Sequence, residues 1–234
     1  MKIDKAGFPF IATAALPAIL SVLAKKQRLA IGFAALTAGV TAFFRDPERY
    51  PDLPVDIDPD IVVASADGKV MHAGTPEPGV APDGDWQQIS IFLSLANVHI
   101  NRTPYGGRVT DITYHPGKYL AAFTKESAVA NERTDITVSS EHHGVERVVI
   151  YRQIVGLLAR RIVTRINVGD QSKTGQRIGL MKFGSRMDIF LPSSVPLLVG
   201  KGDRVVAGES TLARWPVDSA DSVLGFDEGA KIEL

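Results

Sequence analysis

The chain has 234 residues, 26 Lys and Arg against 26 Asp and Glu, and no cysteine. That length buries a full core without covalent staples, and the missing thiols exclude a disulfide framework, a thiolate metal site and a cysteine nucleophile. With 45% hydrophobic residues and no net charge, neither wholesale disorder nor a dedicated nucleic-acid binder fits.

The charges are unevenly spread. Up to residue 44, Lys2, Lys5, Lys25, Lys26 and Arg28 face a single acid, Asp4. Two uncharged stretches, Ala6–Ala24 and Leu29–Phe44, are separated by Lys25-Lys26-Gln27-Arg28. As helices they would reach about 28 and 24 Å, against a bilayer core of about 30 Å. Residues 1–44 therefore read as a hydrophobic membrane anchor of two helices, either spanning or lying in one leaflet, with the basic linker suited to anionic head groups. A cleaved secretory signal fits less well, because a second apolar stretch follows at once. Two buried core helices are the competing reading.

Over residues 45–59, Pro47, Pro51, Pro54 and Pro59 predict an extended linker. Beyond it, Ile61–Ala66 and Lys69–His72 are predicted strands, with Asp67-Gly68 as a tight turn between them. Further strands are predicted over Gln88–Leu93, Arg108–Tyr114, Thr134–Ser140, Val145–Ile154, Met187–Leu191 and Ser210–Trp215. The run Val155–Ile166 suits a strand or a short helix equally. Near the C-terminus, Gly169-Asp170 and Gly175-Gln176 are echoed by Gly202-Asp203 and Gly208-Glu209, which predicts two similar hairpins in a flattened β-sandwich. The fold class is thus mainly β (α+β). It is a β-rich sandwich or barrel-like domain over residues 60–234, with an N-terminal helical anchor.

By composition, Gly184-Ser185 is only a small-residue turn before a strand. Its surroundings say more. Phe183-Gly184-Ser185-Arg186-Met187-Asp188 is preceded by the Gly169-Asp170 turn and followed by Val199-Gly200-Lys201-Gly202-Asp203-Arg204-Val205. Upstream lie Phe43-Phe44-Arg45-Asp46-Pro47, Ala66-Asp67-Gly68, Phe92-Leu93-Ser94 with His99, Tyr114-His115-Pro116-Gly117 and Asn131-Glu132-Arg133. Together and in this order, the motifs resemble the short, prokaryotic type of phosphatidylserine decarboxylase proenzyme. The resemblance covers roughly residues 43–215.

That resemblance implies a pyruvoyl-dependent enzyme that makes phosphatidylethanolamine from phosphatidylserine in phospholipid biosynthesis. It implies self-cleavage between Gly184 and Ser185, giving a β chain (1–184) and an α chain (185–234) that stay together as a heterodimer. Ser185 would become an N-terminal pyruvoyl group, the covalent cofactor, with no metal involved. The residue types suit this chemistry. A serine hydroxyl can attack the preceding carbonyl to form an ester, and glycine before it tolerates the strained backbone required. β-Elimination and hydrolysis then leave a carbonyl able to form a Schiff base with the substrate amine.

Asp67 alone is an ordinary turn residue, and the resemblance implies that it activates the serine. His99 alone is a lone histidine in an apolar run, and the resemblance makes it a proton donor to the carbon that loses CO₂. Arg102 stands where longer family members carry a second histidine, the middle of an Asp-His-Ser relay. Arginine stays protonated and cannot act as a base. Two roles remain open for it, holding the substrate phosphate or carboxylate, or a surface salt bridge. His142-His143 beside Glu141 lacks a spaced third ligand and reads as a solvated turn.

A rival function is a biotin- or lipoyl-type carrier, or a membrane-adaptor module, with Lys182 of Met181-Lys182 on the exposed hairpin. Under the enzyme reading the substrate is an aminophospholipid in the membrane and nucleic acid plays no part. The protein would then sit at the cell membrane, anchored or peripheral, with its main domain cytoplasmic. Every catalytic candidate lies beyond the Pro-rich linker, so anchor and catalysis are expected to be separable.

Overall fold

The computed structural model describes residues 2–49, 58–142, 144–157, 161–182 and 184–216. Pro51, Pro54, His143, Phe183 and the C-terminal tail lie outside the described residues. The chain starts with strand β1 (Lys2–Ile3), a 3-10 turn (Lys5–Gly7) and helices α1 (Phe8–Leu23) and α2 (Gln27–Phe43), then strand β2 (Arg45–Asp46). Pro9 suits the first turn of α1, where its missing N–H costs nothing. The two helices pack on each other. β1 pairs antiparallel with β2, which ties the two ends of the helical hairpin together. The basic turn around Lys25, whose φ is +55°, lies at the opposite end. Apart from Ser21, Ala30 and Phe43, no residue of these helices is buried, so the buried-core reading of the apolar stretches does not hold.

The rest is strand-rich. In chain order come β3 (Ile61–Val63), β4 (Gly68–Gly74), β5 (Trp86–Leu93), β6 (Ile100–Arg102) and β7 (Gly107–His115). A one-turn helix, α3 (Ser127–Ala130), precedes β8 (Arg133–His142) and β9 (Val145–Val155). Then follow β10 (Ile162–Thr164), β11 (Gln171–Ser172), β12 (Arg177–Met181), β13 (Ser185–Pro192), β14 (Arg204–Val205) and β15 (Thr211–Arg214).

Eight of these strands form one curled sheet in the order β11-β7-β8-β9-β13-β5-β4-β14, every neighbouring pair antiparallel. Two smaller sheets, β10-β12-β6 and β15-β3, cover one face of it. Alternation places Met187, Ile189 and Leu191 of β13 and Ile89, Ile91 and Leu93 of β5 on that face, where they form the main core with Val62, Ile178 and Leu212. Arg186, Asp188 and Phe190 point the other way.

The repeated Gly-Asp motifs occupy equivalent places at the two ends of the large sheet. Gly169, Gly175, Gly202 and Gly208 all have positive φ, which glycine adopts without steric cost. Each copy supplies an outer strand, β11 or β14, and then a strand of a small sheet, β12 or β15. These are not hairpins, since neither copy pairs with itself.

Asp67-Gly68 also departs from the expected hairpin turn. β3 pairs with β15 while β4 pairs with β5 and β14, so the chain crosses between sheets at Asp67. A side chain at Gly68 would lie 2.2 Å from the Phe92 carbonyl oxygen. Close approach, not turn geometry, calls for glycine there.

Candidate active site

Gly184 sits with φ +73° immediately before β13, a conformation that glycine tolerates and other residues rarely adopt. Ser185 then enters the middle of the large sheet, paired with Leu93 of β5 and Val155 of β9. It is fully buried, and its Oγ has no hydrogen-bond partner. A buried hydroxyl without a partner is costly and calls for an explanation. Gly156 permits the crowding, because a side chain there would lie 2.2 Å from the Gly184 carbonyl oxygen.

His99 approaches from the loop before β6. Its Nε2 accepts the Gly184 N–H at 3.2 Å, and Nδ1 faces the Asn97 carbonyl at 3.1 Å. A carbonyl can only accept, so Nδ1 carries the proton and Nε2 is left as a base. Burial is the main cause that lowers the imidazole pKa to about 4, with the Arg45 charge adding to it. His99 is therefore neutral at physiological pH.

The His99 ring packs against Phe43, tilted by 36° with centroids 4.2 Å apart. Phe43 is the last residue of α2, so the helical hairpin reaches into the site. Further ties run alongside. Arg45 donates to the Ala96 carbonyl, Arg165 pairs with Asp4, and Arg177 pairs with Asp46. The Phe43 contact joins the hairpin directly to His99, and the other ties fix the hairpin to the strand domain beside it. The signal was present in Phe43-Phe44-Arg45-Asp46-Pro47, a run valued above only for its family pattern.

Asp67 and Arg102 gather elsewhere, around Ala207-Gly208. Asp67 Oδ1 accepts the Ala207 N–H at 2.9 Å and Oδ2 pairs with Arg49 at 3.0 Å. It makes no hydrogen bond to Ser185, whose Oγ is unpartnered. Arg102 is buried and donates to the carbonyls of Gly175 and Pro47, with Asp46 at 3.9 Å. Its guanidinium is engaged by the fold, and this placement supports neither a substrate-binding role nor a surface salt bridge.

Lys182 Nζ lies over the Phe10 ring at 4.7 Å. Its contact with the helical hairpin does not fit a swinging carrier arm. His142 lies 3.6 Å from Asp60, and no group of three metal-ligating side chains occurs among the described residues.

A profile of the family described as "Phosphatidylserine decarboxylase" matches residues 36–213. The chain belongs to the phosphatidylserine decarboxylase family. It is 40% identical over 210 residues to a phosphatidylserine decarboxylase proenzyme of Geotalea uraniireducens, covering 90% of this chain and 95% of that one. The corresponding proenzyme of Symbiobacterium thermophilum is 44% identical over 216 residues, covering 92% and 96%. That of Azorhizobium caulinodans is 41% identical over 221 residues, covering 92% and 90%. Gly184, Ser185, His99 and Phe43 all fall within the part matched by the family profile.

Proposed function

We propose that this chain is a proenzyme that cuts itself at Gly184–Ser185 and then decarboxylates phosphatidylserine to phosphatidylethanolamine, using a pyruvoyl group made from Ser185. The observation that carries this reading is the buried, unpartnered Ser185 Oγ beside a positive-φ glycine whose N–H is held by a neutral histidine. A hydroxyl left unpaired at such a bond suits the prosthetic group that the relatives' name "proenzyme" suggests.

In the cleavage step Oγ bonds to the Gly184 carbonyl carbon, the C–N bond to Ser185 breaks, and the hydroxyl proton ends on the Ser185 nitrogen. That transfer is assigned to His99, whose Nε2 accepts the adjacent Gly184 N–H and must release it before taking the hydroxyl proton. Removal of the Cα proton of residue 185 then expels the Gly184 carboxylate from Cβ, and water displaces the nitrogen as ammonia. A pyruvoyl group at residue 185 would supply a carbonyl for a Schiff base with the substrate amine and an electron sink for the carbon that loses CO₂. His99, neutral at the outset, must take up a proton before it can return one to that carbon, and the substrate ammonium is a source.

Chain cleavage does not release the α chain on this reading, because β13 is bonded on both sides, to β5 and β9. A heterodimer is the result. α1 with its preceding turn, Lys5–Leu23, is long and apolar enough to cross a membrane. With its exposed apolar surface, the hairpin supports action at a membrane, where the lipid substrate resides.

Intact-mass analysis tests the reading. Wild type should give a 50-residue C-terminal fragment beginning with pyruvoyl, and Ser185→Ala should remain one inactive chain. Release of that fragment from Ser185→Ala, or free serine at its start in wild type, would overturn it.

A further inference from the structure

On the outer face of the large sheet lies a cavity of about 610 Å³ lined by Lys69, Lys125, Lys201, Arg186, Glu77 and Phe123, among others. Four cations thus face one carboxylate. Lys69 comes from β4, Arg186 from β13, and the other two lysines from loops, so separate elements bring the positive charge together.

Arg186 distinguishes this cavity from a merely basic surface. Its side chain is 1% exposed. Nε donates to Asp188 at 2.6 Å, and Nη2 donates to Ser90 at 2.9 Å and to Glu77 at 3.2 Å. Nη1 has no partner. A buried guanidinium nitrogen without an acceptor is costly, and an oxyanion in the cavity would satisfy it.

Phe123 also lines a second, apolar cavity of about 280 Å³, with Phe92, Leu95, Leu157 and Gly184. The cationic cavity is therefore one aromatic ring away from the scissile bond. We propose that it is a phosphate subsite, taking the phosphodiester of the aminophospholipid whose amine reacts at residue 185. This inference rests on the function proposed above. Four bonds, about 5 Å, separate the amine nitrogen of a phosphoserine head group from its phosphorus. Phe123 borders both cavities, so a head group that passes this ring from residue 185 meets Arg186 in the cationic one. The lysines add the positive field, and the apolar cavity between excludes water.

The test uses soluble competitors of phosphatidylserine turnover in neutral detergent micelles. sn-Glycero-3-phosphoserine carries the phosphodiester without acyl chains, O-methylserine lacks the phosphate, and inorganic phosphate is the bare anion. In Lys125→Glu/Lys201→Glu, the inhibition constant of glycerophosphoserine should rise about tenfold or more, while that of O-methylserine stays within about twofold. Inorganic phosphate should compete with glycerophosphoserine in wild type and lose that effect in the variant. Recovery of the 50-residue fragment shows that the variant has folded. Lys173→Glu, an exposed change of the same sign and half the total charge, should leave the constants in place.

If wild type yields no pyruvoyl fragment or no CO₂, the proposed function fails. If it yields both, three results overturn the subsite: an unchanged glycerophosphoserine constant, an equal loss in Lys173→Glu, or phosphate that binds without competing.

Discussion

His99 has no place for a second proton while Gly184 donates to its Nε2, and burial opposes the charged form in any case. Its folded pKa of about 4 lies below the ordinary 6.5. Between those values the unfolded chain binds more protons than the folded one. Stability contributed by neutral His99 is therefore present above pH 6.5 and lost as pH falls toward 4, by about 3 kcal/mol in all. Urea unfolding of uncleaved Ser185→Ala should show this loss, and adding His99→Gln should remove it. An identical pH dependence with and without His99 would refute the assignment. The proposed base role gives a matching kinetic expectation, since only the neutral form can accept a proton. Self-cleavage of wild type should hold its rate as pH falls to about 5 and decline as His99 titrates.

Phe43 closes α2 and covers the imidazole, so the helix end helps to set that low pKa. Phe43→Ala should cost about 3 kcal/mol as a buried aromatic truncation. It should also admit water and shift the decline of self-cleavage to higher pH, toward the ordinary histidine value. Phe43→Leu should restore most of both. A pH profile unmoved in folded Phe43→Ala would show that the ring only fills space. Sequence patterns revealed the long strands because apolar alternation persists through β5, β7, β8, β9 and β13. They missed β6 and β12, of three and five residues, and left the run that holds β10 open between strand and helix. Gly179, where a side chain would meet the Val163 carbonyl oxygen at 1.8 Å, further obscures β12. Gly184, Ser185 and His99 were legible as motifs and the structure brings them together. The packing of Phe43 against His99 and the ties of Arg102 to Pro47 and Gly175 join distant parts of the chain, which local periodicity does not encode.

At the scale of the molecule, the helical hairpin and the site's mouth adjoin. Arg45, just after α2, donates to the Ala96 carbonyl in the loop that carries Leu95, and Leu95 lines the apolar cavity with Gly184. Leu95, Phe123 and Leu157 are all more than half exposed around that cavity. Exposed leucines and phenylalanines usually occur singly; three around one opening, beside an apolar hairpin, suit a surface that meets lipid. The ion pairs Asp4–Arg165, Asp46–Arg177 and Arg49–Asp67 fasten the base of the hairpin to the strand domain. A membrane holding the hairpin would then hold the cavity mouth against the same surface, shortening the lipid's path out of the bilayer. Leu95→Glu/Leu157→Glu tests this, because an exposed apolar side chain contributes little to stability but about 1.5–3 kcal/mol when buried in lipid. The variant should still form the 50-residue fragment, while its partition onto phosphatidylserine vesicles falls tenfold or more, roughly, from those two transfers alone. Turnover of vesicle lipid should fall with binding, and turnover in detergent micelles should fall less. If the variant sediments with vesicles as wild type does, the hairpin alone carries attachment and the mouth of the cavity stands clear of the membrane.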